Sequence, residues 1–348
     1  MKKIISITLA AIFILSCLAG CGSSASNSKG VVNVYNWGEY IDEELLTLFE
    51  KETGIKVNYK TYESNEQMYS VLKQGGVSYD VIIPSDYMIS RLIDENMLEK
   101  LDFSNIPNFS KIDKSLVGME YDPTAEYSVP YAWGTVGLIY NSTVVTEDVT
   151  SWSTLFDPAY SGQILMFDNP RDAVGIALKY LGYSQNTTSE AEVREAFDLL
   201  EQQKPILQGY VMDQIFDKLE SGEAAIGPYY AGDYLSMLEN NPDLRFVIPE
   251  EGSNKFVDCM CIPKGAENKA NAEAFINYMC TAEASKLNIE VIGYTSPVVE
   301  VESLLDLSDS ERAVMYPSSE ILDRCEFFTN LPQNILNLYD ELWVKVKS

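Results

Sequence analysis

The chain contains no histidine. That absence removes every catalytic arrangement in which an imidazole moves a proton, the serine–histidine–acid triad among them. It also removes the commonest metal ligand. Basic residues are scarce: 25 lysines and arginines stand against 52 aspartates and glutamates, for a formal net charge of −27. A nucleic-acid partner is not expected, because such binding needs clustered positive charge to displace counterions. Cysteine is also scarce, with 6 in 348 residues, too few for a disulfide scaffold. Cys259 and Cys261 stand at spacing two without a second pair, a poor zinc site that reads better as two small core side chains. No phosphate-binding loop or metal-ligand cluster is present, so no cofactor is expected.

What is present begins with an export pattern. Lys2 and Lys3 precede the apolar run IISITLAAIFILSCLAG, which polar residues follow too soon for a membrane span. Residues 1–20 therefore read as a signal peptide. The run closes on LAGC, which resembles a bacterial lipobox and makes Cys21 the lipidated first residue of the mature chain. An ordinary secretory signal with an incidental cysteine is the alternative. The small, polar GSSASNSKG that follows suits a tether over residues 21–30.

The remaining length exceeds one typical domain, and its 46% hydrophobic content is that of a globular protein. Strand-like and helix-like runs alternate: VVNVYNW, then IDEELLTLFEKETG, then IKVNYKTY, NEQMYSVLKQGG, YDVIIPS and DYMISRLIDENMLEKL. This rhythm predicts an α/β fold with open sheets flanked by helices, whose ligand sites lie at the carboxyl ends of the strands. SVPYAWGTVGLIYN (128–141) is too long for one ordinary strand, and NKFVDCMCIP (254–263) is again long and β-prone. Between them runs a second α/β pattern. Two long β segments bracketing a second lobe suggest a hinge with two crossings. The expected division is residues 31–135 and 261–311 in lobe 1, and 136–260 and 312–348 in lobe 2.

The turns carry rings and acids together. NWGEY follows the first strand and offers Trp37, Glu39 and Tyr40; PSDY offers Ser85 and Tyr87. DNPRD offers Asp168, Asn169 and Asp172, GPYYAGD offers Tyr229 and Tyr230, and IGYTSP offers Tyr294. In a strand through 256–261, alternation puts Phe256, Asp258 and Met260 on one face and Val257, Cys259 and Cys261 on the other. Asp258 thus points with a ring, and the cysteines point away from it. A carboxylate satisfied between strand and turn is the plainer reading of Asp258. Rings beside carboxylates form a box for cations: a ring face attracts an ammonium by about 0.5–2 kcal/mol, and a charge-assisted hydrogen bond adds about 1.5–3 kcal/mol. The ligand this chemistry selects carries several ammonium groups joined by methylenes. The acidic balance suits such a ligand, although solubility alone also accounts for it.

The segments YNWGEY, FEKETGIKVNYKTYESNEQMY, YDVIIPSDYM, VPYAWGTVGLIYN, TSWSTLF, LGYSQNTT and EVIGYTSP resemble those of the bacterial spermidine/putrescine-binding proteins of ABC transporters. The resemblance spans nearly all of residues 31–348. It implies a two-lobed periplasmic-binding-protein fold that closes on a polyamine as a monomer and presents it to permease subunits. With Cys21 lipidated, the protein would sit on the outer face of the cytoplasmic membrane. The family's ligand positions fall on Trp37, Glu39, Tyr40, Ser85, Tyr87, Asp258 and Tyr294. Where the family has an aspartate and a glutamate three residues apart, this chain has Asn169 and Asp172; Asn169 loses a charge unless Asp168 turns inward. Two family tryptophans are replaced by Tyr229, with Tyr230 competing for the position, and by Phe256. A family glutamine falls near Phe328 and does not carry over. Spermidine and putrescine both remain open.

Two other classes stay in view. A ferric-iron receptor of the same architecture would use the Tyr229–Tyr230 pair. A surface-anchored hydrolase would use two carboxylates at fixed separation.

Overall fold

The computed structural model describes residues 29–38, 40–76 and 78–348. The expected signal peptide, the lipobox cysteine Cys21 and the site candidate Glu39 lie outside the described residues. Among the described residues, nine strands make one mixed sheet in the order β2-β1-β3-β9-β4-β7-β5-β6, with β8 paired to β4. They are β1 (Val31–Trp37), β2 (Lys56–Tyr62), β3 (Val81–Ile82), β4 (Ser128–Asn141), β5 (Ile164–Phe167), β6 (Leu207–Val211), β7 (Ile226–Tyr230), β8 (Leu244–Val247) and β9 (Lys255–Cys261).

The 14-residue β4 joins two halves. Its residues 128–135 pair with β9, and its residues 136–141 pair with β7 and β8. In the first half, β1 lies parallel to β2 and β3, and β9 returns antiparallel to β3. In the second, β5 lies parallel to β6 and β7. All of β9, from Lys255 to Cys261, pairs with the first half of β4. Beside these two crossings a third segment passes: Glu326 forms a parallel bridge with Asn254.

Three clusters of buried side chains follow the same division. Two cover the opposite faces of the first half, one around Val34, Phe49 and Phe275 and one around Tyr62, Met88 and Cys259. The third fills the second half around Trp152, Phe167 and Phe197. The alternation expected in β9 is observed. Val257, Cys259 and Cys261 join one face cluster, whereas Met260 joins the other. All four described cysteines are buried and free.

Helices cover the sheet. The first half carries α1 (Glu43–Thr53), α2 (Asn65–Gln74) and α3 (Asp86–Asp94). The second carries α4 (Pro170–Tyr180), α5 (Glu190–Gln203), α6 (Ile215–Glu220) and α7 (Ala231–Asn240). The chain then adds α8 (Lys269–Met279), α9 (Ala282–Ile292), α10 (Asp309–Met315), α11 (Ser319–Leu322) and α12 (Gln333–Lys347). Local chemistry sets the helix ends. Asp42 caps α1 by accepting from Glu44 N at 2.9 Å, and Gly54 stops it in the left-handed conformation.

Two expected helices change. The helix predicted from Asp86 to Leu101 ends at Asp94, because Asn96 turns left-handed and Leu98 pairs with Pro263. The run ENKANAEAFINYMCTAEASKLNIEVIG (267–293), which reads as one helix, breaks at Thr281, whose hydroxyl caps α9 by accepting from Ala284 N.

Candidate functional site

The carboxyl ends of β1, β3, β5 and β7 converge with the middle of β9. Asp258, on β9, forms an isolated bridge with Ser85, the residue before α3. Its Oδ2 accepts from Tyr40 Oη at 2.7 Å, while its Oδ1 accepts no hydrogen bond among the described residues. Burial pushes this carboxyl up to about 6, although the Ser85 hydroxyl and the Tyr40 phenol favour its charged form.

A matching pair stands in the second half. Asn169 caps α4, accepting from Arg171 N at 2.9 Å and donating to Asp172 Oδ2 at 2.7 Å. Tyr230 Oη reaches the same oxygen at 3.3 Å, and Asp172 Oδ1 has no partner among the described residues. Burial raises Asp172 to about 6 against the pull of Tyr230 and Arg171. A third pair joins the halves: Tyr294 Oη donates to Asp233 Oδ2 at 2.9 Å. Burial and the neighbouring Asp213 raise Asp233 to about 7, although the Tyr294 bond pulls it down.

The rings of these pairs form a continuous wall. Tyr40 meets Tyr294 edge-on at 5.2 Å between centroids. Tyr294 meets Phe256 at 5.8 Å, and Phe256 meets Tyr230 at 5.4 Å. Gly134 makes room for Phe256, since a Cβ there would stand 2.9 Å from the ring. Gly232 and Gly293 let the two halves touch backbone to backbone: a Cβ on Gly232 would stand 2.7 Å from Gly293 O.

The other expected residues lie around this wall. Trp37 donates its indole N–H to Ile83 O at 2.8 Å and packs on Tyr62 at 4.8 Å. Asn65 Nδ2 holds both Ser85 Oγ and Tyr87 Oη at 3.1 Å. Tyr87 also donates to Glu66 at 3.0 Å. Tyr229 is buried in the second-half core with its phenol on Asp213 at 3.0 Å, so Tyr230 is the ring that meets Phe256 and Asp172. Asp168 pairs with Lys347 and not with Asn169, whose amide bonds to Asp172. Phe328 stacks on the Arg171 guanidinium at 4.3 Å.

Sequence reasoning did not select Asp233, Asp86 or Asn65. Asp233 stands in the first turn of α7 just past the Tyr230 ring, as Asp172 stands in the first turn of α4 past Asn169. An acid opening a helix at the end of a strand was the signal available. Asp86 is buried behind Ser85, accepts from Tyr87 N at 2.6 Å, and is held far above the carboxylate range by burial.

Buried carboxylates with free lone pairs are costly unless a cation meets them. Rings on the same wall add attraction for an ammonium. The arrangement suits a cation, and among the described residues it shows no nucleophile–base pair.

Comparison with known proteins places this architecture. Residues 44–312 match the family model described as bacterial extracellular solute-binding protein. The spermidine/putrescine-binding periplasmic protein of Escherichia coli (strain K12) is 33% identical over 332 residues, 94% of this chain and 95% of that protein. The putrescine-binding periplasmic protein SpuD of Pseudomonas aeruginosa is 31% identical over the full length of both. A putative spermidine/putrescine ABC transporter protein from Listeria monocytogenes superposes with a TM-score of 0.86 at 40% identity, covering 91% of this chain and 98% of that one. The PotD substrate-binding protein of Streptococcus pneumoniae gives 0.83 at 38%, covering 92% and 99%. With its two-domain architecture and a site of rings and carboxylates between the halves, the chain belongs to the bacterial extracellular solute-binding proteins, a family of transport receptors rather than enzymes.

Proposed function

We propose that this protein captures a polyamine, spermidine or putrescine, between two closing lobes and delivers it to the permease of an ABC transporter. One observation carries the reading: three carboxylates, Asp258, Asp233 and Asp172, each bonded to a phenol, line one aromatic wall at the junction of the halves. Ammonium groups bind the carboxylates, and the rings cover the methylenes between them. Two or three such anchors reach an affinity of about −8 kcal/mol, the micromolar range. Trp37, Glu39, Tyr40, Ser85, Tyr87, Asn169, Asp172, Tyr230, Phe256, Asp258 and Tyr294 are the proposed ligand-binding set, with Tyr229 packed behind Tyr230. Lobe 1 would comprise residues 31–135 and 255–311, and lobe 2 residues 136–254 and 312–348.

In this reading Cys21 carries the lipid that holds the monomer on the outer face of the cytoplasmic membrane. Relatives are named as periplasmic, which agrees with a site of action outside the cytoplasm. Ferric iron has less support, because burial holds the Tyr229 and Tyr230 phenols well above their ordinary range and disfavours tyrosinate.

A thermal-shift panel of putrescine, cadaverine, spermidine, spermine and basic amino acids tests the proposal. Stabilisation by at least one polyamine, confirmed by calorimetry, supports it. Silence from every amine at millimolar concentration rejects it.

A further inference from the structure

A fourth phenol–carboxylate pair continues the wall outward. Tyr229 Oη donates to Asp213 Oδ1 at 3.0 Å. The Tyr229 ring lies 4.9 Å from that of Tyr230, so the row of rings gains one more step. Asp213 follows the carboxyl end of β6, whose last residue Val211 pairs with Phe167 of the parallel β5. It therefore stands at the same end of the sheet as Asn169 and Asp172. Two features separate this pair from the inner three. Asp213 is exposed, whereas Asp172 and Asp258 are buried. Asp213 also lies close enough to Asp233 for the two charges to repel. The pair thus stands beside Tyr230, with a buried ring and an exposed carboxylate.

We infer that Asp213, oriented by Tyr229, is the anchor for a third ammonium group and makes the site prefer triamines to diamines. This inference rests on the polyamine reading above. Asp258 and Asp172, the two buried carboxylates of the inner three, meet the two ammonium groups of a diamine. Only a longer chain also reaches the outer carboxylate, and it gains a charge-assisted contact there. Partial exposure keeps that contact weaker than the inner ones. The neighbouring negative charges of Asp213 and Asp233 favour an ammonium between them, which relieves their repulsion.

Calorimetry with putrescine and spermidine on the full mature chain tests this. The wild type is expected to bind spermidine more tightly. Asp213→Asn should weaken spermidine about fivefold or more, equivalent to about 1 kcal/mol, and leave putrescine within about twofold. Tyr229→Phe keeps the ring and frees the carboxylate, so it should cost spermidine a smaller factor and putrescine nothing. Asp213 is exposed, and its substitution should leave the unfolding temperature of the empty protein unchanged. An equal loss for both ligands, or unchanged spermidine binding in Asp213→Asn, overturns the inference while leaving the polyamine reading intact. A wild type that binds neither amine removes both.

Discussion

Tyr294 Oη and Asp233 Oδ2 stand 2.9 Å apart across the junction of the two halves. Tyr294 follows α9 and packs against the first-half core; Asp233 opens α7 over the second. In the proposed closure this hydrogen bond would mark the closed state, and it involves the carboxyl that burial raises to about 7. Its pH behaviour follows. The ordinary value of an aspartate is 3.8, and Asp172 and Asp258 rise to about 6. Groups raised in this way bind protons more tightly folded than unfolded. Between about pH 4 and pH 7 the folded protein keeps protons that the unfolded chain has lost, so this contribution to stability falls as pH rises. A bound ammonium reverses the preference, since it needs the charged carboxylates.

The unfolding temperature of the empty protein should therefore decline more steeply over this window in the wild type than in Asp233→Asn. The stabilisation given by spermidine should grow over the same window. Unfolding curves with and without spermidine at several pH values check both. Parallel curves would contradict the assignment.

Asp258→Asn separates function from stability. Burial already disfavours the charged form of Asp258, so a neutral side chain of the same shape removes a penalty rather than a support. The empty protein should melt at or above the wild-type temperature at pH 8. Polyamine affinity should fall more than about tenfold, because a charge-assisted hydrogen bond is worth about 1.5–3 kcal/mol. Calorimetry beside a melting curve decides the case; unfolding of the ligand-free variant would make Asp258 structural.

Alternation made much of this site legible beforehand. Phe256 and Asp258 share a face of β9, and a period of two cannot separate them. The gathering of rings and acids at the strand ends was legible because helices must cross between parallel strands. Asp233 escaped because an acid in a first helical turn also serves the helix dipole, and the sequence shows no difference between the two roles. The choice of Tyr230 over Tyr229 depended on where β7 stops, and strand ends are the least determined feature of a pattern. The end of α3 was hidden because Met97 and Leu98 continue its apolar spacing, while the left-handed turn at Asn96 is a local event.

Cys21→Ser tests the anchor. The substitution removes the thiol that the lipid would occupy and leaves the export pattern of residues 1–20 intact. The variant should leave the membrane fraction and appear in soluble form outside the cytoplasmic membrane, with polyamine affinity unchanged. Fractionation with labelled fatty acid checks it. Retention of label and membrane association in the variant would remove Cys21 as the lipidation site.

Gly232→Ala should act on closure alone. Its Cβ would stand 2.7 Å from Gly293 O and 3.2 Å from the Tyr294 ring, both across the junction. Gly232 lies in the first turn of α7, where alanine favours the helix. The separated halves should therefore tolerate the change, and the closed state should not. Overpacking costs about 1–3 kcal/mol, and a cost borne only by the closed state lowers ligand affinity about five- to hundredfold. The ligand-free protein should unfold at the wild-type temperature, and small-angle scattering should show an extended form that spermidine no longer compacts. Compaction equal to the wild type would show that the halves close without the Gly232–Gly293 approach, and that the contact is a by-product of closure.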